Sequence, residues 1–225
     1  MKQRKLLVLA ILVIAALVFT ACTTPVPVAT EGAAPAGSDA VAGSAEDLSR
    51  PHPQLSNPDV RKAIAHCIDR DALIASVYPY VDDEIKPTLR MDVGVPKDHW
   101  SWQGPYTDYD YDPALGNQML DDAGFVDEEG DGYRFNLTFT TTNAQFRATW
   151  SAVAEQNLAD CGIALIRQLT PASWWFGDTT GLARRAFELG AFAWVGQVSP
   201  SVITLYSCNQ IPTPGNNWEG QNGMG

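Results

Sequence analysis

The chain has 225 residues and a formal net charge of -11. Neutralising phosphates takes clustered Lys and Arg, so this balance argues against a nucleic-acid partner and against a protein lying on anionic lipid. Seven tryptophans suit half-buried positions with one polar edge, such as a core rim or a ligand cleft.

The first element is an export signal. Lys2, Arg4 and Lys5 precede an unbroken apolar run from Leu6 to Phe19, followed by the small residues Thr20 and Ala21 and then Cys22. A charged start, a short apolar stretch and a small-residue exit are the plan of a secretory signal. The run is shorter than the roughly 20 residues that a membrane-spanning helix needs. Phe19-Thr20-Ala21-Cys22 resembles the lipobox of bacterial lipoproteins, with Phe where Leu is usual. That resemblance implies removal of residues 1–21, a diacylglyceryl group on Cys22, and a protein outside the cytoplasm held to the membrane by its lipid. Acyl chains contribute about 0.8 kcal/mol per buried methylene, so several on one residue hold firmly.

Residues 22–55 are expected to be a tether. From Thr23 to about Leu55 there is no Phe, Tyr or Trp, and Ala, Gly, Pro, Ser and Thr dominate. Such a stretch buries too little apolar surface to offset ordering entropy. Residues 56–225 are the expected folded domain. Asn57 can cap a helix, Pro58 fits its first position and Asp59 complements its dipole. Val60, Ile64, Cys67, Ile68 and Ile74 then recur at helical spacing. Tyr78 to Tyr109 is irregular and reads as a long ordered loop. Asp112-Pro113 opens a second helix carrying Leu115, Met119 and Leu120, closed by Gly124.

Tyr133, Phe135, Leu137 and Phe139 alternate with polar residues, as in a strand with one buried face. A helix from about Ala144 to Asp160 follows, stopped by Gly162, and Ile163, Leu165 and Leu169 suggest a second strand. Strand, helix, strand is a crossover unit, which indicates an α/β fold. After Trp174-Trp175-Phe176 come a short basic helix near Ala183 and a third, mostly apolar strand from Phe187 to Val195. Ile211 to Gly225 reads as irregular, with no helix or strand to finish the domain.

With Cys22 assigned to lipid, Cys67, Cys161 and Cys208 remain. An oxidising compartment allows one pair and leaves one thiol over. Cys67 with Cys161 is the preferred pair, because each sits on or beside a helix of the same predicted layer; spacing alone does not determine connectivity.

No constellation for catalysis is present. Asp127-Glu128-Glu129-Gly130-Asp131-Gly132 resembles the start of a calcium loop, but the twelfth place, where a bidentate Glu belongs, is Thr138. A Gly-rich turn into the strand is the favoured reading. His52, His66 and His99 are scattered, and HExxH, GxSxG and the Walker phosphate loop are absent. No enzyme activity, metal or cofactor is expected. The aromatic group Trp174, Trp175, Phe176, Phe192 and Trp194 falls around strand ends, where α/β folds place ligands, although core packing explains such residues equally well.

Four segments carry a family resemblance. Asn57-Pro58-Asp59-Val60-Arg61-Lys62-Ala63-Ile64-Ala65-His66-Cys67-Ile68-Asp69-Arg70 resembles the "VRxAxxxxIDR" signature of the extracellular solute-binding proteins of family 5. Tyr111-Asp112-Pro113 through Leu120-Asp121-Asp122-Ala123-Gly124-Phe125, then Gly130-Asp131-Gly132-Tyr133-Arg134, then Gln156-Asn157-Leu158 through Cys161-Gly162-Ile163 are similar to later family motifs, in the expected order. The resemblance implies an α/β, type II periplasmic-binding-protein lobe with a mixed sheet flanked by helices. It implies capture of a peptide or other small solute, of the peptide, dipeptide or nickel class, for the permease subunits of an ABC importer. In members a large first lobe precedes the first of these helices, whereas here the tether runs straight into it. The chain thus resembles the central part of the second lobe fused to an export signal. A member's cysteine near Cys208 often pairs a little downstream, which would leave Cys208 without its partner here. Trp174, Trp175, Trp194 and Gln197 are the expected ligand-side residues. In peptide-binding members an Asp stands where Gln197 stands, holding the peptide's α-ammonium. A neutral amide supplies no opposing charge there.

Overall fold

The computed structural model describes residues 51–195 and 202–224. The expected signal, the lipid site at Cys22, most of the expected tether and Gln197 lie outside the described residues.

Two helices stand where one was expected. In α1 (Pro58–His66) the Asn57 side chain accepts the Asp59 amide, with Pro58 opening the first turn. Val60, Ala63 and Ile64 are buried beneath it. The helix stops at Cys67, and α2 (Arg70–Val77) starts afresh under its own cap, the Asp69 carboxylate accepting the Ala72 amide at 2.9 Å. A short side chain that bonds its own backbone competes with continued helix, and Asp69 does so in the middle of the apolar series.

The segment from Tyr78 to Asp112 has little regular structure beyond a 3-10 turn at Lys86–Leu89. Its order comes from charge. Arg70 pairs with Asp92 and Asp108, while Arg90 reaches Asp71, Asp108 and Asp110. Burial works to raise the Asp108 carboxyl, and hydrogen bonds and charge from Arg90 and Arg70 outweigh it, holding the group below its ordinary range. The segment then returns to α1, where the Asp112 amide donates to the His66 carbonyl.

Helix α3 (Pro113–Asp122) is capped by Asp112 accepting the Leu115 amide, and Gly124 takes the left-handed conformation just past its end, at φ 85°. Gly116, on its buried face, leaves room for a disulfide. Cys67 and Cys161 are joined with Cα atoms 6.2 Å apart, and a Cβ on residue 116 would stand 2.4 Å from Cys67 Sγ. Cys208 is exposed and free.

Strand β1 (Phe135–Thr142), helix α4 (Gln145–Ala159) and strand β2 (Ile163–Thr170) form the crossover unit, with β1 and β2 parallel and in register from Phe135↔Ile163 to Thr142↔Thr170. A two-residue strand β3 (Leu189–Gly190) pairs in parallel with the other side of β1, giving the order β2-β1-β3. The expected α/β layering is present. The three described strands all run parallel, without the antiparallel member of a mixed sheet. Leu137, Phe139, Ile163 and Leu165 meet Val60, Ile64, Leu120 and Leu158 in one core on the helical side. Because β1 is central, Thr140 and Thr141 near its carboxyl end are wholly buried. The one-face alternation therefore holds only for the strand's first half.

The third strand is shorter than its apolar text suggested. At residue 188 the side chain takes over from the ladder: the Glu188 carboxylate accepts the Thr138 amide. After Gly190 the Ala191 amide still reaches β1 at Thr140 O, and the Thr141 hydroxyl of β1 donates to the Ala191 carbonyl. Beyond the sheet lie the short helices α5 (Ala172–Trp175) and α6 (Ile203–Tyr206), with 3-10 turns at Gly181–Arg184, Cys208–Gln210 and Pro214–Asn216. The last of these places a helical turn inside the stretch expected to be irregular throughout. Its capping box, Thr213 with Asn216, supplies both end bonds.

Candidate functional site

The carboxyl ends of β1, β2 and β3 converge on a row of aromatic rings. β2 ends at Thr170 and passes directly into α5, which carries Trp174 and Trp175. Consecutive residues of a helix point about 100° apart, and the two indoles differ accordingly. Trp175 is 0% exposed and lies beneath Trp174, their rings stacked at 6.5 Å and 18°. Phe187 meets Trp175 edge-on at 5.4 Å. Room for the buried indole comes from Gly190, whose Cβ would lie 3.1 Å from Trp175 Cη2.

Trp174 is half-buried, and the Thr180 hydroxyl donates to its carbonyl. Past β3, Phe192 stands edge-to-face with Trp194 at 5.3 Å and with Phe176 at 6.4 Å. Trp194 is 54% exposed and Phe176 52%. The structure thus brings Trp174, Phe176, Phe192 and Trp194 to one end of the sheet with ring surface open to solvent. Trp175 is placed behind them as packing, and Gln197 lies outside the described residues.

Sequence reading passed over Arg147 at this end. It sits in the first turn of α4, just after β1, its guanidinium over the Phe146 ring at 5.1 Å. Nη1 donates at 3.4 Å to Thr141 Oγ1 and to Ala191 O, next to Phe192. Burial lowers its pKa from the ordinary arginine value. Among the described residues it makes no ion pair. A cation following a Thr-rich strand end was the available signal, but its want of an ion pair among the described residues is visible only in three dimensions.

The opposite end of the sheet is built differently. Cavities of about 320 and 550 Å³ lie at the amino ends of the strands, beside Arg134, Asp127, Tyr133 and Phe135. Arg134 is fully engaged there, donating to Asp121, Asn117 and the Phe125 carbonyl. The Asp127 carboxylate accepts the amides of Gly130, Asp131 and Gly132. These bonds, led by the one from Gly132, hold it below the usual carboxylate range. Oxygens spent on backbone amides are those of a turn, as the sequence reading favoured over a calcium loop. Among the described residues no group of three or more His, Cys, Asp or Glu could hold a metal ion.

The family sequence model described as "Bacterial extracellular solute-binding proteins, family 5 Middle" matches residues 36–213. No curated protein matches the chain. Among solved structures, the chain is similar to an oligopeptide-binding protein of Thermus thermophilus solved with a pentapeptide, at TM-score 0.64 and 20% identity over 76% of this chain and 31% of that one. The oligopeptide-binding protein AppA of Bacillus subtilis, solved with a nonapeptide, gives TM-score 0.60 and 18% identity over 75% and 34%. NikZ of Campylobacter jejuni, solved with Ni(L-His), gives 0.58 and 16% over 76% and 33%. At these identities the likeness is one of fold, and the match spans about a third of each of those chains. The chain belongs to the bacterial extracellular solute-binding proteins of family 5, which are binding proteins of transport and not enzymes.

Proposed function

We propose that this chain is a solute-binding lipoprotein of an ABC importer of the peptide or nickel class. Its folded part forms one wall of a ligand cleft, and the captured solute passes to permease subunits. The observation that carries the reading is the aromatic row Trp174, Phe176, Phe192 and Trp194 at the carboxyl ends of a parallel sheet, the end at which open α/β sheets take their ligands. Family membership supports it, since family 5 binding proteins work outside the cytoplasm. On this reading Trp174 and Trp194 meet the solute, Trp175 backs them, and Gln197 supplies a neutral hydrogen-bonding group.

One wall gives weak affinity, because solute sites normally bury about 70–90% of a small ligand. Titration of the chain with peptides, followed by tryptophan fluorescence, is expected to show no saturable binding in the micromolar range. A micromolar Kd for any peptide would contradict the one-wall reading.

Lipid attachment at Cys22 is part of the same proposal, supported by Phe19-Thr20-Ala21-Cys22 after the apolar run. Among the described residues no helix is long and apolar enough to cross a membrane. In a bacterial host fed labelled fatty acid, the parent chain is expected to carry label and Cys22→Ser none. Label retained by that variant would sink the assignment. A second reading, a surface lipoprotein acting as an interaction module, draws on the openness of the aromatic row. It predicts protein partners captured through Trp194 and Phe176 and no response of either ring to small solutes.

A further inference from the structure

We propose that residues 78–111 form a strap that opens as one unit while the core stays folded, and that a charge latch around Arg70 and Arg90 sets how readily it opens. No residue from 78 to 112 is buried, and none belongs to the hydrophobic core or packs against it. Large apolar side chains of the segment face outward instead, Tyr80 being 94% exposed and Met91 45%. Among the described residues, every backbone–backbone hydrogen bond donated from 79 to 111 stays inside the segment. Segments with few buried apolar contacts open locally at far lower free energy than a core does.

What ties the segment to the helices is mostly charge. Arg70 of α2 donates to Asp92 and Asp108, and its neighbour Asp71 faces Arg90 at 3.7 Å. Arg90 also reaches Asp108 at 2.6 Å, so two arginines share one carboxylate. Adjacent residues of opposite sign in the first turn of α2 thus grip the middle and the end of the strap. Besides these pairs, Arg70 donates to the Tyr109 carbonyl, and the His66 ring donates to the Asp110 carbonyl. Single surface pairs contribute little, whereas several in one network add up, and salt screens them. The core is apolar, so screening acts on the latch and not on it. Family 5 binding proteins work outside the cytoplasm, where ionic strength follows the surroundings, and the latch responds to that medium.

Amide hydrogen exchange of the full chain, read by mass spectrometry at one pH, tests the proposal. Raising NaCl from about 20 mM to about 500 mM shortens the Debye length from about 20 Å to about 4 Å. Peptides from the strap are expected to exchange about threefold faster at the higher salt, with peptides from β1 unchanged. The double variant Arg70→Gln with Arg90→Gln keeps hydrogen-bond donors and removes both charges. Its strap is expected to exchange about tenfold faster than the parent's at low salt and to lose the salt response. Arg70→Lys with Arg90→Lys keeps the charges and is expected to keep that response. Salt that speeds strap and β1 equally overturns the separate unit. A strap indifferent to salt in the parent, or a salt response that survives in the Gln variant, overturns the latch. Should the Gln variant fail to fold, the parent's salt comparison and the Lys variant still decide.

Discussion

Replacing Cys67 and Cys161 together by alanine is expected to lower the unfolding free energy by about 2–5 kcal/mol, the range for a native disulfide. The bridge spans 94 residues of sequence, a long loop whose closure restricts the unfolded chain strongly. It also joins the end of α1 to the turn between α4 and β2, both cysteines being buried in the core. Total stability of a domain is only about 5–15 kcal/mol, so the loss is a large fraction of it. Chemical denaturation followed by circular dichroism reads the effect as a drop in midpoint. A double variant with the parent's midpoint and slope would show that the bridge adds nothing. Adding a reductant to the parent is expected to reproduce the shift, once unfolding lets the reagent reach the buried sulfurs.

Trp175→Ala is expected to cost about 3–5 kcal/mol, as for other buried tryptophans. The indole packs between Trp174, Phe187 and the β3 backbone at Gly190. Its Nε1–H has no acceptor among the described residues, so the side chain contributes packing and no hydrogen bond. Trp175→Phe should then lose less than half as much, because it keeps ring contacts and removes a polar group that burial penalises. A Trp175→Ala variant as stable as the parent would contradict the buried placement. Trp194→Ala at its exposed position is expected to change stability by under about 0.5 kcal/mol. The two variants thus separate packing from ligand contact within one aromatic cluster.

Local chemistry was the part of the fold that the sequence expressed most directly. Asn57-Pro58 and Asp112-Pro113 start helices, and Gly124 and Gly162 end them, because caps act within a turn of the chain. Asp69 acts just as locally, yet a run of apolar residues on either side of it suggested one continuous helix. The third strand failed for a different reason. Its apolar text matches burial, but pairing needs backbone groups on β1, and the Glu188 side chain occupies Thr138. Burial of Thr140 and Thr141 is equally nonlocal, since it follows from β1 being the middle strand. For the ligand face, composition located the aromatic cluster but not which of Trp174 and Trp175 faces inward. Arg147 stayed invisible because its want of an ion pair among the described residues is defined by what surrounds it.

His52 ties the described amino end to the sheet. Its Nδ1 accepts the amides of Gln54 and Leu55, so Nε2 carries the proton and donates to Glu188, the same carboxylate that receives the Thr138 amide. Arg61 donates to the carbonyls of Leu55 and Ser56. A pull on the chain from its amino end therefore enters the central strand through a side-chain clasp before it reaches α1. Among the described residues the clasp is the first connection to be loaded under tension, and its rupture would release the entry segment while the Cys67–Cys161 bridge still held the core together. Mechanical unfolding from that end should begin with a small extension at low force and only then meet the main barrier.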